Sequence, residues 1–276
     1  MSEEILRALM ELFAIIIKQD GGLTEKEKTY VRKFLIHQIG AESAEAYFRI
    51  FLHTASSDES ESGKPEEEKK KLTSVLDSVR ILKIGKKISR TLNQQQKVVV
   101  VVRSLELINT EYKLTGQRLG IINTLADFFK IGRDEYDSMV RFVAGTDQDN
   151  PPGENIILIR PGTDSSITVL RVPSVELYFI LYNGSQEILL NGHPLKTGTI
   201  YLLANGSSIR FPVGQPVSYS DITSRFLAER SKERIELSAE QLYYTFPGEV
   251  PGLQKISFTA EQGNMIGIMG ASGSGK

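Results

Sequence analysis

The sequence contains no cysteine, no long apolar run and no excess of charge of either sign. Without cysteine the chain has no disulfide, no thiolate metal ligand and no thiol nucleophile, which fits a reducing, cytoplasmic setting. Its 33 basic and 34 acidic residues balance, so the whole chain offers no electrostatic footprint for phosphate backbones or anionic lipid. We therefore expect no nucleic-acid partner.

The start of the chain also lacks the basic residues and the apolar run of an export signal. The longest purely apolar runs include residues 12–17 and 98–102. They are far shorter than the roughly 20 residues that a membrane-spanning helix needs. The sequence therefore predicts no membrane span.

Residues 1–147 have apolar side chains at the spacing of helical faces, which predicts an all-helical domain. Residues 54–71 break this pattern because they are mostly Ser, Asp, Glu and Lys with almost nothing apolar to bury. We expect a flexible loop there. The five valines at 98–102 have strand propensity, but the helical periodicity on both sides favours a buried helical segment.

This helical domain contains an internal repeat, shifted by about ninety positions. Residues 20–24 align with 111–115, and residues 39–40 align with 131–132. Two similar helical halves are therefore predicted. At one aligned position the first half has Glu27 where the second half has Arg118.

A cluster of turn formers at 145–153 ends the helical pattern and indicates a linker. From residue 156 to residue 226, short apolar and β-branched runs alternate with turn signals, which predicts an all-β sandwich over residues 148–232. Three Asn-Gly pairs, at 183–184, 191–192 and 205–206, lie between such runs. Each pair predicts a β-hairpin.

Residues 233–276 show a third pattern, with strand-like segments at 235–246, 255–260 and 265–269. Glycines let consecutive backbone N–H groups curl around phosphate oxygens, and a lysine ammonium reaches the outer phosphates. Two glycines and a lysine at fixed positions also arise by chance in roughly one chain in ten. The last seven residues match such a phosphate-binding loop as far as its lysine: Gly270, Ala271, Ser272, Gly273, Ser274, Gly275 and Lys276.

The sequence from Leu242 to this loop resembles the opening segment of ABC-transporter ATPases, and the resemblance covers residues 233–276. It implies a site for ATP and Mg²⁺, with Phe246 stacking on adenine and Tyr244 as the substitute candidate. It also implies a membrane permease partner and a second ATP-binding domain in a dimer at the inner face of the cell membrane. Because Lys276 carries the terminal carboxylate, which repels phosphate, we expect this fragment itself neither to hydrolyse ATP nor to bind it well.

Residues 1–145 resemble the TerB-like domain of tellurite resistance, an all-helical fold with an acidic centre. This resemblance implies Asp20, Glu27 and Glu111 as candidate ligands of a divalent metal ion. A second interpretation is open, because the run from Thr24 to Glu27 is a capping box. In a capping box the two end side chains satisfy free N–H groups at a helix start.

The later half of the β region resembles a forkhead-associated domain, which binds phosphothreonine. The arginine cluster that such recognition uses is not recognisable, so we expect a scaffolding domain. The sequence thus predicts a multidomain α + β chain: an all-helical domain, an all-β sandwich and, over residues 233–276, the first strands of a P-loop NTPase domain. The predicted function is the regulatory region and the start of the ATP-binding domain of an ABC transporter. The alternative is a non-enzymatic cytoplasmic adaptor or stress- or metal-response scaffold.

Overall fold

The computed structural model describes residues 3–18, 23–56, 66–110, 114–145, 153–160, 165–230, 236–261, 263–267 and 269–270. The chain divides into two compact units, Met1–Tyr219 and Ser220–Lys276. Helices come first and antiparallel sheets follow, so the predicted order of an α region before a β region is confirmed. No helix in these ranges is both long and apolar enough to cross a lipid bilayer.

The helical region has two halves of three helices each, separated by one long helix. The second helix of each half begins after a threonine, Thr24 or Thr115, and the third helix begins after a glycine, Gly40 or Gly132. This order agrees with the predicted repeat. The helices are α1 (Glu3–Lys18), α2 (Glu25–Ile39), α3 (Ala41–Ser56), α4 (Glu66–Thr91), α5 (Gln94–Asn109), α6 (Gly116–Phe128) and α7 (Arg133–Ala144).

The valine run lies inside α5, as the flanking periodicity predicted, and four of its five side chains are buried. Valine lowers helix stability by only a few tenths of a kcal/mol, about 0.5 per residue. Burial of a valine side chain contributes about 1.5 to 3 kcal/mol. The free energy gained by burying these valines therefore outweighs their low helix propensity. A capping box fixes the start of the helix, because Asn93 and Gln96 each accept the other's backbone N–H.

The loop predicted at 54–71 is helical at both ends. The third helix continues to Ser56 and α4 begins at Glu66, while residues 57–65 lie outside the described residues. Glu and Lys fill positions 66–71 and are strong helix formers. The lack of apolar residues, on which the loop prediction rested, does not by itself oppose a helix.

The β region of the first unit has eight described strands: β1 (Ile156–Ile159), β2 (Ser165–Val172), β3 (Leu177–Gly184), β4 (Leu189–Leu190), β5 (His193–Pro194), β6 (Ile200–Leu203), β7 (Ser208–Arg210) and β8 (Val217–Ser218). They form two antiparallel four-stranded sheets. One has the order β1-β2-β3-β6 and the other β5-β4-β7-β8. Strand β6 therefore lies at an edge of the first sheet.

One of the three Asn-Gly pairs forms its predicted hairpin. Asn191 and Gly192 have φ values of 51° and 85° and join β4 to β5 as a two-residue turn. The prediction is wrong for the other two pairs. Residues 205–206 form a turn between strands of different sheets, and residues 183–184 continue β3 opposite β2. In both cases the two flanking strands belong to different sheets and do not pair with each other.

One hydrophobic core runs through the helical region and the first sheet. The sheet contributes six buried side chains to it: Ile156, Leu170, Val172, Phe179, Leu181 and Ile200. Helices and sheet thus bury each other's apolar surface, and the predicted boundary at 147–148 falls inside this packed unit.

The second unit contains a single described hairpin, formed by β9 (Glu236–Phe246) and β10 (Val250–Glu261), after helix α8 (Tyr219–Arg230). The turn between the strands uses Gly248 and Glu249 at φ values of 94° and 61°. The pairing register shifts at three places along the ribbon.

The strand predicted at 265–269 is wrong for its described residues, which have no strand pairing, while Ile268 lies outside them. Met265 and Met269 are 98% and 95% exposed. A strand needs a neighbour that accepts and donates its backbone hydrogen bonds. In the described part of this unit, β9 and β10 pair only with each other.

Candidate functional site

The predicted phosphate-binding loop is described only at its first residue. Gly270 follows the exposed Met269, and residues 271–276 lie outside the described residues. The geometry of the loop therefore stays a prediction.

The two aromatic candidates for adenine stacking lie together on the hairpin. Phe246 ends β9 and is 50% exposed. Its ring contacts the ring of Tyr244 edge to face, with the centroids 5.1 Å apart and the planes at 85°. Residues two apart on a strand share a face. The hairpin thus presents an exposed aromatic pair, a surface on which a planar base can stack.

A glycine of the opposite strand makes room for this pair. A Cβ atom at Gly252 would lie 2.7 Å from Cε2 of Phe246 and 3.0 Å from Cδ1 of Tyr244. A larger residue where β10 passes the two rings would therefore force the rings to shift. Gly252 was not among the predicted site residues, and the signal in the sequence was a glycine inside a strand-forming segment.

Most other apolar side chains of the hairpin are also exposed. A two-stranded ribbon has no second layer in which to bury them. Exposed apolar side chains in this number are typical of a segment that packs against more protein. The exposed residues are Leu237, Leu242, Tyr243, Leu253, Ile256 and Phe258.

In the helical region, the structure brings the two aligned charged residues of the repeat together. Nη1 of Arg118 donates to Oε1 of Glu27 at 2.8 Å, and both side chains are fully buried. Nη2 of Arg118 donates to the carbonyl of Ile17 at 2.8 Å. The other oxygen of Glu27 accepts the N–H and the hydroxyl of Thr24 at 2.9 and 3.1 Å.

The capping box from Thr24 to Glu27 is confirmed, and Glu27 has a second role that capping does not explain. Its carboxylate is neutralised by a guanidinium. Asp20 and Glu111, the other two metal candidates, lie outside the described residues. The metal site stays a prediction, and in the described residues no group of three or more potential metal ligands is found.

A second polar network joins the helical region to the edge of the first sheet. Glu106 of α5 accepts the Tyr30 hydroxyl at 2.6 Å and the Ile200 backbone N–H at 2.9 Å. Arg103 donates to Glu106 at 2.6 Å and to the Ile200 carbonyl at 2.9 Å. The Arg–Glu pair therefore satisfies both backbone groups of one edge-strand residue, which protects the edge from other pairing.

This environment changes the acidity of Tyr30. Burial, and after it the neighbouring Glu106 carboxylate, raises the pKa of Tyr30 well above its ordinary value of 10.0. The network was not predicted from the sequence. Glu106 was the available signal, because an acid inside the buried face of α5 needs a partner.

The turn between β2 and β3 is held by the N-terminal ends of α5 and α7. Glu135 accepts the backbone N–H and the hydroxyl of Ser174, both at 2.7 Å. Gln95 donates to the Val175 carbonyl at 3.2 Å. The side chain of Val175 packs against the shared core. We refer to the surface that these two helices offer to the chain's own turn as the groove.

In the β region, Arg171 is used inside the fold. It donates to Glu176 at 2.6 Å, and Glu176 also accepts the Tyr178 hydroxyl at 3.1 Å. This arginine is 8% exposed. It therefore supports the turn from within, and the forkhead-associated resemblance stays an expectation.

Comparisons with known proteins add no relative: no protein-family profile, no curated protein and no solved structure matches this sequence.

Proposed function

We propose that this chain comprises a regulatory and docking region and the first strands of an ATP-binding domain of the ABC-transporter type. The observation that carries the proposal is the glycine-rich sequence Gly270–Lys276, placed after a hairpin that carries an exposed aromatic pair beside its turn. The backbone N–H groups of the loop would hold the phosphates, and the Lys276 ammonium would reach the outer ones. Phe246 would stack on the adenine, with Tyr244 beside it.

The exposed apolar surface of the hairpin supports the same proposal. An isolated hairpin is marginally stable in water, so these side chains need a covering layer. In the proposed protein, the remainder of the ATP-binding domain supplies that layer. ATP and Mg²⁺ are the proposed ligands, and the proposed partners are a permease and a second ATP-binding domain at the inner face of the cell membrane.

The first unit takes the regulatory or docking role in this proposal. Its helices and sheet share one core and are joined by the network at Ile200. In this proposal the unit acts as one body and transmits a binding event to the segment that follows it.

The test uses the product of the complete gene and its ATP hydrolysis. We expect Lys276→Ala to lower the rate by about a hundredfold or more, because one charge that stabilises the transferring phosphoryl group is lost. The matched control is Lys255→Ala, which removes an exposed lysine of β10. An unchanged rate in Lys276→Ala, or an equal loss in both variants, would contradict the proposal.

A non-enzymatic scaffold is the second candidate function. The specific observation in its favour is the groove in which Glu135 and Gln95 hold the chain's own β2–β3 turn, a contact of the kind that a scaffold makes with a partner. If the complete gene product has no ATPase activity, this candidate replaces the first.

A further inference from the structure

A solvent-open cleft of about 570 Å³ lies between α1, α3 and α4 in the first half of the helical region. Its wall combines charged side chains with an apolar floor. The residues that line it are Glu3, Glu4, Arg7, Ser43, Ala46, Tyr47, Ile50 and Lys87.

The repeat relates this cleft to the groove that already holds a turn. The alignment that pairs Thr24 with Thr115 also pairs Glu4 with Gln95. Likewise, the alignment of Gly40 with Gly132 pairs Ser43 of α3 with Glu135 of α7. Gln95 and Glu135 are the two residues that bind the β2–β3 turn. The open cleft is thus the first-half counterpart of an occupied polypeptide site.

The charges in the open cleft differ from those in the occupied groove. Arg7 stands where the second half has Val98. It forms no hydrogen bond or ion pair with any residue that the structure describes. Glu4 is paired with Lys87 at 3.6 Å, and Glu3 is a second acid in the lining. Among the residues that the structure describes, the guanidinium of Arg7 is therefore the cation of the cleft that has no bonded partner.

An adjoining, more open depression adds further charged side chains beside Arg7. Its volume is about 370 Å³, and it shares Arg7 and Ile50 with the cleft. It adds Arg49 and His53, beside Glu11. A carboxylate bound near Arg7 would therefore have Arg49 and His53 nearby, together with one acid, Glu11.

We propose that this cleft binds a turn of a partner protein that presents a carboxylate to Arg7. The cleft has donors and acceptors for the polar groups of a turn, as the occupied groove does. Its floor of Ala46, Tyr47 and Ile50 receives a branched apolar side chain, as the core of the second half receives Val175. The bidentate geometry of a guanidinium suits a carboxylate.

The test uses the isotope-labelled 276-residue chain and a cyclic peptide with the sequence of residues 172–177, Val-Pro-Ser-Val-Glu-Leu. This peptide has the shape of the resident turn and carries one free carboxylate. NMR titration should shift the backbone resonances of Ser43 and Tyr47. The same peptide with Glu176→Gln should bind about tenfold more weakly, because one charge-assisted hydrogen bond is lost.

Two protein variants complete the experiment. In Arg7→Ala the two peptides should bind equally weakly, whereas the exposed control Arg90→Ala should keep the difference between them. Resonance shifts at Gln95 and Glu135 would show that the peptide displaces the resident turn, and this result overturns the proposal. Absence of binding overturns it too, as does a difference between the peptides that persists in Arg7→Ala.

Discussion

The two halves of the helical region share a helix order but differ in what their first helices do. In α1, Leu12 and Ile15 are buried apolar side chains. At the aligned positions of α5, Arg103 and Glu106 hold the edge strand of the sheet. At these aligned positions, the side chains that hold the β region are polar in the second half only. The order of the helices is the same in both halves.

The halves also differ where they meet. Glu27 and Arg118 occupy aligned positions and face each other in the core. If both positions carried the same charge, two like charges would be buried together, at a cost of several kcal/mol. The opposite charges allow the pair to be buried without an added ion. The two halves of the repeat therefore differ in charge at the buried position where they contact each other.

Arg118→Met tests this asymmetry and has the largest expected effect. The variant leaves the Glu27 carboxylate buried without its guanidinium, so we expect the free energy of unfolding to fall by about 3 to 5 kcal/mol. Urea denaturation followed by circular dichroism measures the change.

The control is the double variant Glu27→Leu with Arg118→Met, which removes both charges. It should recover most of the lost stability, because no uncompensated charge remains, although it also loses the cap on Thr24. If the double variant is as unstable as the sum of the two single variants, the two charges do not act as a pair.

Much of the helical region could be predicted from sequence periodicity, because helices obey local rules. The valine run shows why, since the helical pattern on both sides extended through it. The Arg118–Glu27 contact could be predicted only in part. The alignment put the two residues at equivalent positions, but only the folded chain shows that these positions meet.

The β region was harder to predict, because pairing of strands is not local. The Asn-Gly pairs at 183–184 and 205–206 have the composition of hairpin turns, yet their flanking strands belong to different sheets. The network at Ile200 joins residues far apart in the sequence, so no short pattern predicts it. The segment 265–269 has the composition of a buried strand, but composition does not supply a neighbouring strand.

Tyr30→Phe tests the hydrogen bond from the first half to Glu106, the residue that holds the edge of the sheet. At neutral pH we expect a loss of about 2 kcal/mol, since the hydroxyl donates to a carboxylate. The unfolded tyrosine ionises near its ordinary pKa of 10.0, whereas burial raises the pKa of folded Tyr30 well above it. The wild-type chain therefore loses stability as the pH rises above about 10, toward the folded pKa.

The phenylalanine variant should lose less stability over this alkaline range than the wild type. Tyr136 and Tyr178, whose pKa values burial raises to about 12, contribute equally to both proteins. Tyr47→Phe is the matched control, because Tyr47 is half-buried outside the network. Urea denaturation between pH 7 and pH 11 measures the slopes, and equal slopes in wild type and Tyr30→Phe would refute the role of this hydroxyl.

The helix caps give the smallest expected difference between the halves. Thr24 accepts the Glu27 backbone N–H and is bound in return by the Glu27 carboxylate. The Thr115 hydroxyl accepts the Arg118 N–H at 3.5 Å, and an arginine side chain has no acceptor with which to complete a capping box. We expect Thr24→Ala to lower the free energy of unfolding by about 1 to 2 kcal/mol and Thr115→Ala by about 0.5 to 1. Urea denaturation of both variants measures the two losses and decides which of them is larger. A larger loss in Thr115→Ala would mean that the capping box adds nothing to a single cap, and that Glu27 serves only to bury the guanidinium of Arg118.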